Sequence, residues 1–186
     1  LSPEARRNAC VDWEKGPGEI GERSTPISTS CVMSGEELRL RRVVEKHKIV
    51  GLDTAPLIYF IEDVAPYADL VEPIFRLLES GRTTAVTSTI TLAEVLTKPL
   101  SDKNLQLVDE IKFTLKSLST LSLIPVGEAI AEAAALIRAR YTLRLPDALQ
   151  VASAIQGGAT LFITNDGRLK KVEGIETVVL EDYVRR

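Results

Sequence analysis

KIVGLDTAPLIYFIED, residues 48–63, decides how the chain folds. Its first part, KIVGLD, is a short, largely apolar run that reads as a buried strand. The strand ends on Asp53. A short helix follows, with Pro56 in its first turn, where a missing N–H costs least.

The same alternation continues toward the C-terminus. Residues 66–80 read as an amphipathic helix stopped at Ser80-Gly81. TTAVTS is a second strand, and TLAEVLTKPL is a helix expected to break before Pro99. Residues 102–119 form a longer helix, with Val108, Ile111, Leu115 and Leu118 on one face. LSLIPV is a third strand. EAIAEAAALIRARY is an Ala-rich helix with Ile130, Ala133, Ala134 and Ile137 inward. PDALQVASAIQGG is another helix, TLFIT a fourth strand and TVVL a fifth. Strands alternating with helices imply an α/β domain, a parallel sheet of about five strands covered by helices on both faces in three layers.

Working toward the N-terminus, the pattern stops. Residues 1–35 are rich in Gly, Pro and Ser/Thr without periodicity and are expected to be a disordered tail. Residues 36–47 are charged and read as a lead-in helix, and residues 48–186 as the folded domain. A start at Met33, the sole methionine, would remove the tail together with Cys10, Trp13 and Cys31.

The bulk numbers narrow the chemistry. The 186 residues are 45% hydrophobic, enough for a core. No apolar run approaches the roughly 18–20 residues of a membrane span. Two cysteines in the N-terminal segment indicate no disulfide framework, so a reducing cytoplasm is expected. His47 is the only histidine, which argues against a Ser-His-Asp triad or a His-rich zinc site. It reads as a solvated loop or strand-edge residue. No Gly-rich phosphate loop or dinucleotide fingerprint is present. With a net charge of -3 and pI near 5.4, nucleic acid is not bound by bulk charge. Binding would need local basic residues or bound cations. What the sequence offers is carboxylates, which suit magnesium or manganese.

Four acids fall at one edge of the expected sheet, the carboxyl ends of the strands, where ligands bind in such folds. Asp53 ends the first strand, and it also reads as an N-cap. Glu94 lies early in the helix after the second strand, and Thr91-x-x-Glu94 also has the form of a capping box. Asp147 opens the helix that returns to the fourth strand, where the helix dipole alone would favour an acid. Asp166 leaves the fourth strand in Thr164-Asn165-Asp166-Gly167, which also reads as a simple turn. Read singly, each has a structural explanation. Together, with no basic residue interleaved at those positions, they would repel unless one or two divalent cations neutralised them. Two such ions can activate water and stabilise both oxygens of an in-line phosphoryl displacement.

The segments IVGLDTAPLIYFIE, TSTITLAEVL, YTLRLPDALQVASAI and GATLFITNDGRL, around these four acids, resemble a PIN domain, in detail a VapC-type toxin ribonuclease. The resemblance covers roughly residues 48–184, with the motifs in family order and spacing. It implies the three-layer fold and a magnesium- or manganese-dependent endoribonuclease acting on RNA. Asp53 and Asp147 would be the principal metal ligands, with Glu94 and Asp166 completing the cluster and Thr164 and Asn165 supporting it. It also implies a homodimer and a cognate antitoxin that inserts a basic side chain into the acidic pocket. Gln150 stands where many members carry a histidine. With the acids intact, this departure implies little catalytic consequence. The tail has no counterpart in the family core.

Arg138, Arg140, Arg144, Arg168, Lys170 and Lys171 flank the acids, either as phosphate contacts or as a solvated face. Tyr59, Phe60 and Tyr67 read as core or interface packing ahead of base stacking. Two further readings remain: a PIN-type RNA-processing nuclease without antitoxin, and a PIN interaction module without catalysis. A small-molecule phosphotransfer enzyme would want nucleotide-binding glycines, and none are visible.

Overall fold

In a computed structural model of the protein, residues 33–184 are described. The two cysteines, Trp13 and the expected tail through residue 32 lie outside them.

Five strands form one sheet: β1 (Ile49–Leu52), β2 (Thr84–Ser88), β3 (Leu121–Ile124), β4 (Leu161–Thr164) and β5 (Glu176–Val179). Their order is β3-β2-β1-β4-β5, and every neighbouring pair is parallel. Seven α-helices flank the sheet among the described residues: α1 (Gly35–Val44), α2 (Thr54–Ile61), α3 (Tyr67–Glu79), α4 (Thr89–Ser101), α5 (Leu105–Ser117), α6 (Glu128–Tyr141) and α7 (Leu145–Gln156).

The pleat sends successive side chains to opposite faces, which divides the core in two. On one face Val50, Leu52, Ala85, Leu161 and Ile163 pack with α1 to α5. On the other, Val86 and Phe162 pack with α6 and α7. Gly51 points to this second face. A Cβ there would lie 2.6 Å from Ala154 Cβ and 2.7 Å from Phe162 Cδ2. Glycine is what lets α7 lie close against β1.

The lead-in segment is structural. Leu40 and Val44 of α1 are fully buried in the first core, and Arg39 lies over the Tyr183 ring. Phe60 stacks on Phe75 and Tyr59 on Tyr67, and the three aromatics singled out by sequence pack against the same core.

One helix boundary is corrected. The helix α4 does not break before Pro99 but runs through it to Ser101. Pro99 stands in the last turn, so only one intrahelical bond is forgone. Its ring is buried, and the turn closes with Asp102 N–H to Lys98 O at 2.9 Å and Asn104 N–H to Pro99 O at 2.8 Å. No helix among the described residues is long and apolar enough to cross a membrane.

Candidate metal centre

Register places three strand ends side by side. Leu52 pairs with Ile163 and Gly51 with Val86. One residue further, Asp53 is level with Thr164 of β4 and Ser88 of β2. The backbone confirms this on the β4 side, where Asp53 N–H donates to Ile163 O at 3.0 Å.

Asp53 caps α2, its Oδ1 accepting from Thr54 N–H at 2.8 Å. Its Oδ2 accepts from the Thr164 hydroxyl at 2.5 Å. Burial pushes the Asp53 carboxyl above its usual range. The two bonds work against that shift, and the charges of Asp147 and Glu94 add to it. The same Thr164 oxygen accepts from Asp166 N–H at 3.0 Å, so one hydroxyl ties Asp53 to Asp166.

Glu94 is not part of a capping box. The cap of α4 is Ser88, whose hydroxyl accepts from Ile90 N–H at 3.2 Å. Thr91 is already inside the helix, fully buried, and bonded to the Thr87 hydroxyl at 2.7 Å. Glu94 therefore lies a turn further on. It is exposed, yet its Oε2 accepts from the Thr54 hydroxyl.

Asp147 lies in the first turn of α7. Burial raises its carboxyl pKa. Arg168 and Arg144 oppose that shift, while Asp166 and Glu94 reinforce it. The four acids thus feel one another electrostatically in a connected set, Asp53 with Asp147 and Glu94, and Asp147 with Asp166 and Glu94.

Asp166 caps a 3₁₀ turn, Gly167–Lys171, accepting from Arg168 N–H at 2.9 Å. Here the expectation that no basic residue is interleaved is corrected. The tight turn brings the side chain of Arg168 back over Asp166. Its Nε lies 2.9 and 2.8 Å from the two Asp166 oxygens. Its Nη2 bonds Asp166 again and reaches Asp147 Oδ2 at 3.2 Å. This guanidinium holds the Asp166 carboxyl below the usual carboxylate range. Lys170 pairs with Asp182 at 2.5 Å and Arg140 with Glu173 at 2.8 Å, so these two cations also have carboxylate partners.

Among the described residues, the side-chain hydrogen bonds of Asn165 go to none of the four acids. Its Nδ2 donates to Tyr59 Oη at 3.0 Å and its Oδ1 accepts from Glu181 N–H at 2.8 Å, which ties the loop to α2 and the C-terminal segment. His47 is at the opposite edge, with Nδ1 2.8 Å from Thr160 Oγ1 and Nε2 3.5 Å from Glu176. It is a strand-edge residue remote from the acids.

Gln150 was noted by sequence reasoning only as a departure from the family's histidine, with little consequence expected from it. It is 2% exposed and bonded to Thr54, Thr91 and the Ser88 backbone. The available signal was a buried amide one helical turn after Asp147, facing a hydroxyl-rich TSTIT stretch.

The donor set fits a hard cation: carboxylates alone, two of them destabilised as anions by burial and by like charge. Among the described residues, no three acidic, histidine or cysteine side chains are gathered closely enough to hold one ion as they stand. Arg168 supplies the positive charge nearest Asp147 and Asp166.

No curated protein matches the sequence. The solved structures that share the fold include two toxin–antitoxin assemblies. A toxin–antitoxin complex from Klebsiella pneumoniae contains a chain that is 25% identical, with TM-score 0.53, the match covering 71% of this chain and 97% of that one. VapBC2 from Rickettsia felis, bound to a DNA fragment from its promoter, contains one that is 20% identical, also with TM-score 0.53, over 70% of this chain and 98% of that one. Residues 50–175, which span all four acids and the network that holds them, match the PIN domain model, and the chain belongs to the PIN domain family.

Proposed function

We propose that the protein is a magnesium- or manganese-dependent endoribonuclease that hydrolyses RNA phosphodiester bonds, the toxin of a toxin–antitoxin pair. The observation that carries the nuclease reading is the set of mutually interacting carboxylates at the carboxyl edge of a PIN-family sheet. The toxin reading is supported by the likeness to the Klebsiella pneumoniae toxin–antitoxin complex. A cognate antitoxin and a second copy of the chain are the partners this reading brings with it.

Asp53, Asp147 and Glu94 would hold the metal, with Asp166 joining as Arg168 withdraws. A bound divalent ion would supply positive charge at the scissile phosphate and acidify a water. The chain's own contribution is orientation. Thr164 and the Thr54 N–H fix both oxygens of Asp53. The Thr54 hydroxyl fixes one oxygen of Glu94. Arg168 keeps Asp147 and Asp166 compensated when no other cation is near.

A second reading, a PIN interaction module without catalysis, is favoured by one observation, the neutralisation of Asp147 and Asp166 by Arg168. Cleavage of a structured RNA with Mn²⁺ separates the two. The nuclease reading expects cleavage that EDTA stops and that falls more than about a hundredfold in Asp53→Asn and Asp147→Asn, beyond the loss typical of outer-shell changes. Cleavage that survives both variants would remove these residues from the chemistry. No cleavage in any form would leave the interaction module. Growth arrest on expressing the chain alone, relieved by the adjacent reading frame, tests the toxin assignment. Cleavage without arrest would leave an RNA-processing nuclease.

A further inference from the structure

Gln150 sits three residues after Asp147 on α7, so both project from the same face. It is almost wholly buried in a small polar pocket between α7, the end of β2 and the starts of α2 and α4. Chemistry fixes the orientation of its amide. Ser88 N–H lies 3.3 Å from Oε1, and only a carbonyl oxygen accepts there. The NH₂ group must then face the other way, 2.6 Å from Thr91 Oγ1 and 3.0 Å from Thr54 Oγ1.

This has a consequence for Thr54. An NH₂ group only donates, so Thr54 Oγ1 accepts from Gln150 and its single hydroxyl proton is left for another partner. That proton goes to Glu94 Oε2. Thr91 Oγ1 also lies within reach of the Thr54 hydroxyl, at 3.4 Å, but Glu94 Oε2 is much the nearer acceptor, and Thr91 is already engaged by Gln150 and by Thr87 at 2.7 Å. Gln150 Nε2 also stands 3.5 Å from Glu94 Oε2 directly. Among the described residues, every hydrogen bond to Glu94 falls on Oε2, which leaves Oε1 for a further ligand.

We propose that Gln150 is a positioning residue for Glu94, acting through Thr54, and that it sets how strongly the acidic site binds a divalent cation. The inference rests on the metal-dependent reading above. It assigns a function to a buried amide for which a purely structural role, the tying of α7 to β2, is the competing explanation.

The test uses the full chain, Mn²⁺ as the probe and the free Mn²⁺ EPR signal as the readout. Gln150→Met keeps the side-chain volume and removes every bond. The positioning role expects Mn²⁺ affinity to fall about tenfold or more, the usual consequence of losing an outer-shell partner. Thr54→Ala should produce the same loss with Gln150 intact. On a Glu94→Gln background, Gln150→Met should cost little further affinity, because the group it positions is gone. A variant that melts earlier in EDTA but binds Mn²⁺ as the wild type does would overturn the proposal. So would an equal loss on both backgrounds. Should Gln150→Met not fold, Thr54→Ala with its own Glu94→Gln cycle decides the relay on the same terms. Absence of Mn²⁺ binding by the wild type would instead sink the metal reading. A crystal structure of Gln150→Met, or of Gln150→His if the former does not fold, then decides the positioning claim alone: Glu94 released from Thr54 upholds it, and Glu94 still bonded to Thr54 overturns it.

Discussion

The hydroxyl of Thr164 donates to Asp53 Oδ2 at 2.5 Å, across two neighbouring parallel strands and 111 residues of sequence. The bond exists because the β1–β4 register makes the two strand ends level. It joins the acid that terminates one strand to the residue that terminates the next. The same oxygen then accepts the Asp166 N–H at 3.0 Å. A single buried threonine thereby fixes the spacing of two of the candidate ligands.

Replacing Thr164 with Val keeps the shape and removes both bonds. Asp53 Oδ2 loses a donor and Asp166 N–H an acceptor, in a partly buried setting. The expected cost is about 1–3 kcal/mol, or a melting temperature lower by about 2–4 °C per kcal/mol at this chain length. The Asp53 carboxyl should also titrate still higher, since the Thr164 bond opposes the effect of burial. Thr164→Ser should restore both. Calorimetry in EDTA provides the check, and a Val variant as stable as the wild type would contradict the account.

The pH dependence of stability follows from the direction of the Asp53 shift. Burial first, then Asp147 and Glu94, raise its pKa above the ordinary 3.8. A carboxyl with a raised folded-state pKa favours the fold while protonated and loses that contribution as pH rises through the folded value. Ionised Asp53 is therefore a liability to the metal-free protein at neutral pH. Asp53→Asn should be more stable than the wild type at pH 7 in EDTA, and the gap should close as the pH falls below about 3.8, the unshifted value. Urea titrations across that range measure it. Saturating Mn²⁺ should reverse the order at pH 7, because only the wild type gains the linked binding energy, about 2.7 kcal/mol at a hundredfold excess over Kd.

The sheet was legible because its signal is local: KIVGLD, TTAVTS and TLFIT are short, largely apolar runs followed by turn or helix starts, and the pleat needs little else. The convergence of Asp53, Glu94, Asp147 and Asp166 on one edge followed from the rule for parallel sheets. What stayed hidden depends on geometry finer than element order. Thr91 and Glu94 have capping-box spacing, but the true cap is Ser88, and a boundary shift of three residues changes the reading of both. Arg168 reaches Asp166 only because the chain tightens into a 3₁₀ turn there. Pro99 ends nothing because the last helical turn has one bond to spare.

Arg168 makes a prediction about competition. Its guanidinium bonds both Asp147 and Asp166, the positions a cation would share. Arg168→Gln should therefore bind Mn²⁺ several-fold more tightly than the wild type, by removing the internal competitor. It should also raise the Asp166 carboxyl, since the Arg168 bond is the leading cause of its depressed pKa. A depressed folded-state pKa contributes stability above the unfolded value and loses it as pH falls through the folded one. The wild type should accordingly exceed Arg168→Gln in EDTA at pH 7, with the margin vanishing in acid. Weaker Mn²⁺ binding by the variant would show that Arg168 helps to build the site rather than competing for it.

Gly51 connects the site to the packing beneath it. It sits in the centre of β1, two residues before Asp53, with Ala154 of α7 and Phe162 of β4 closing over it. A methyl at this point would meet Ala154 Cβ at 2.6 Å, and neither contact atom is the end of a flexible chain. The helix or the strand must shift, at about 1–3 kcal/mol for overpacking. Since Asp53 is carried by β1 and Asp147 and Gln150 by α7, that shift also moves two candidate ligands apart. Gly51→Ala should lower both the melting temperature and Mn²⁺ affinity. Gly35→Ala, inside α1 where an added methyl meets nothing within 4 Å, should lower neither. If Gly51→Ala costs stability but leaves Mn²⁺ affinity intact, the two elements are held in place by contacts other than this one, and the coupling of the packing to the site is lost.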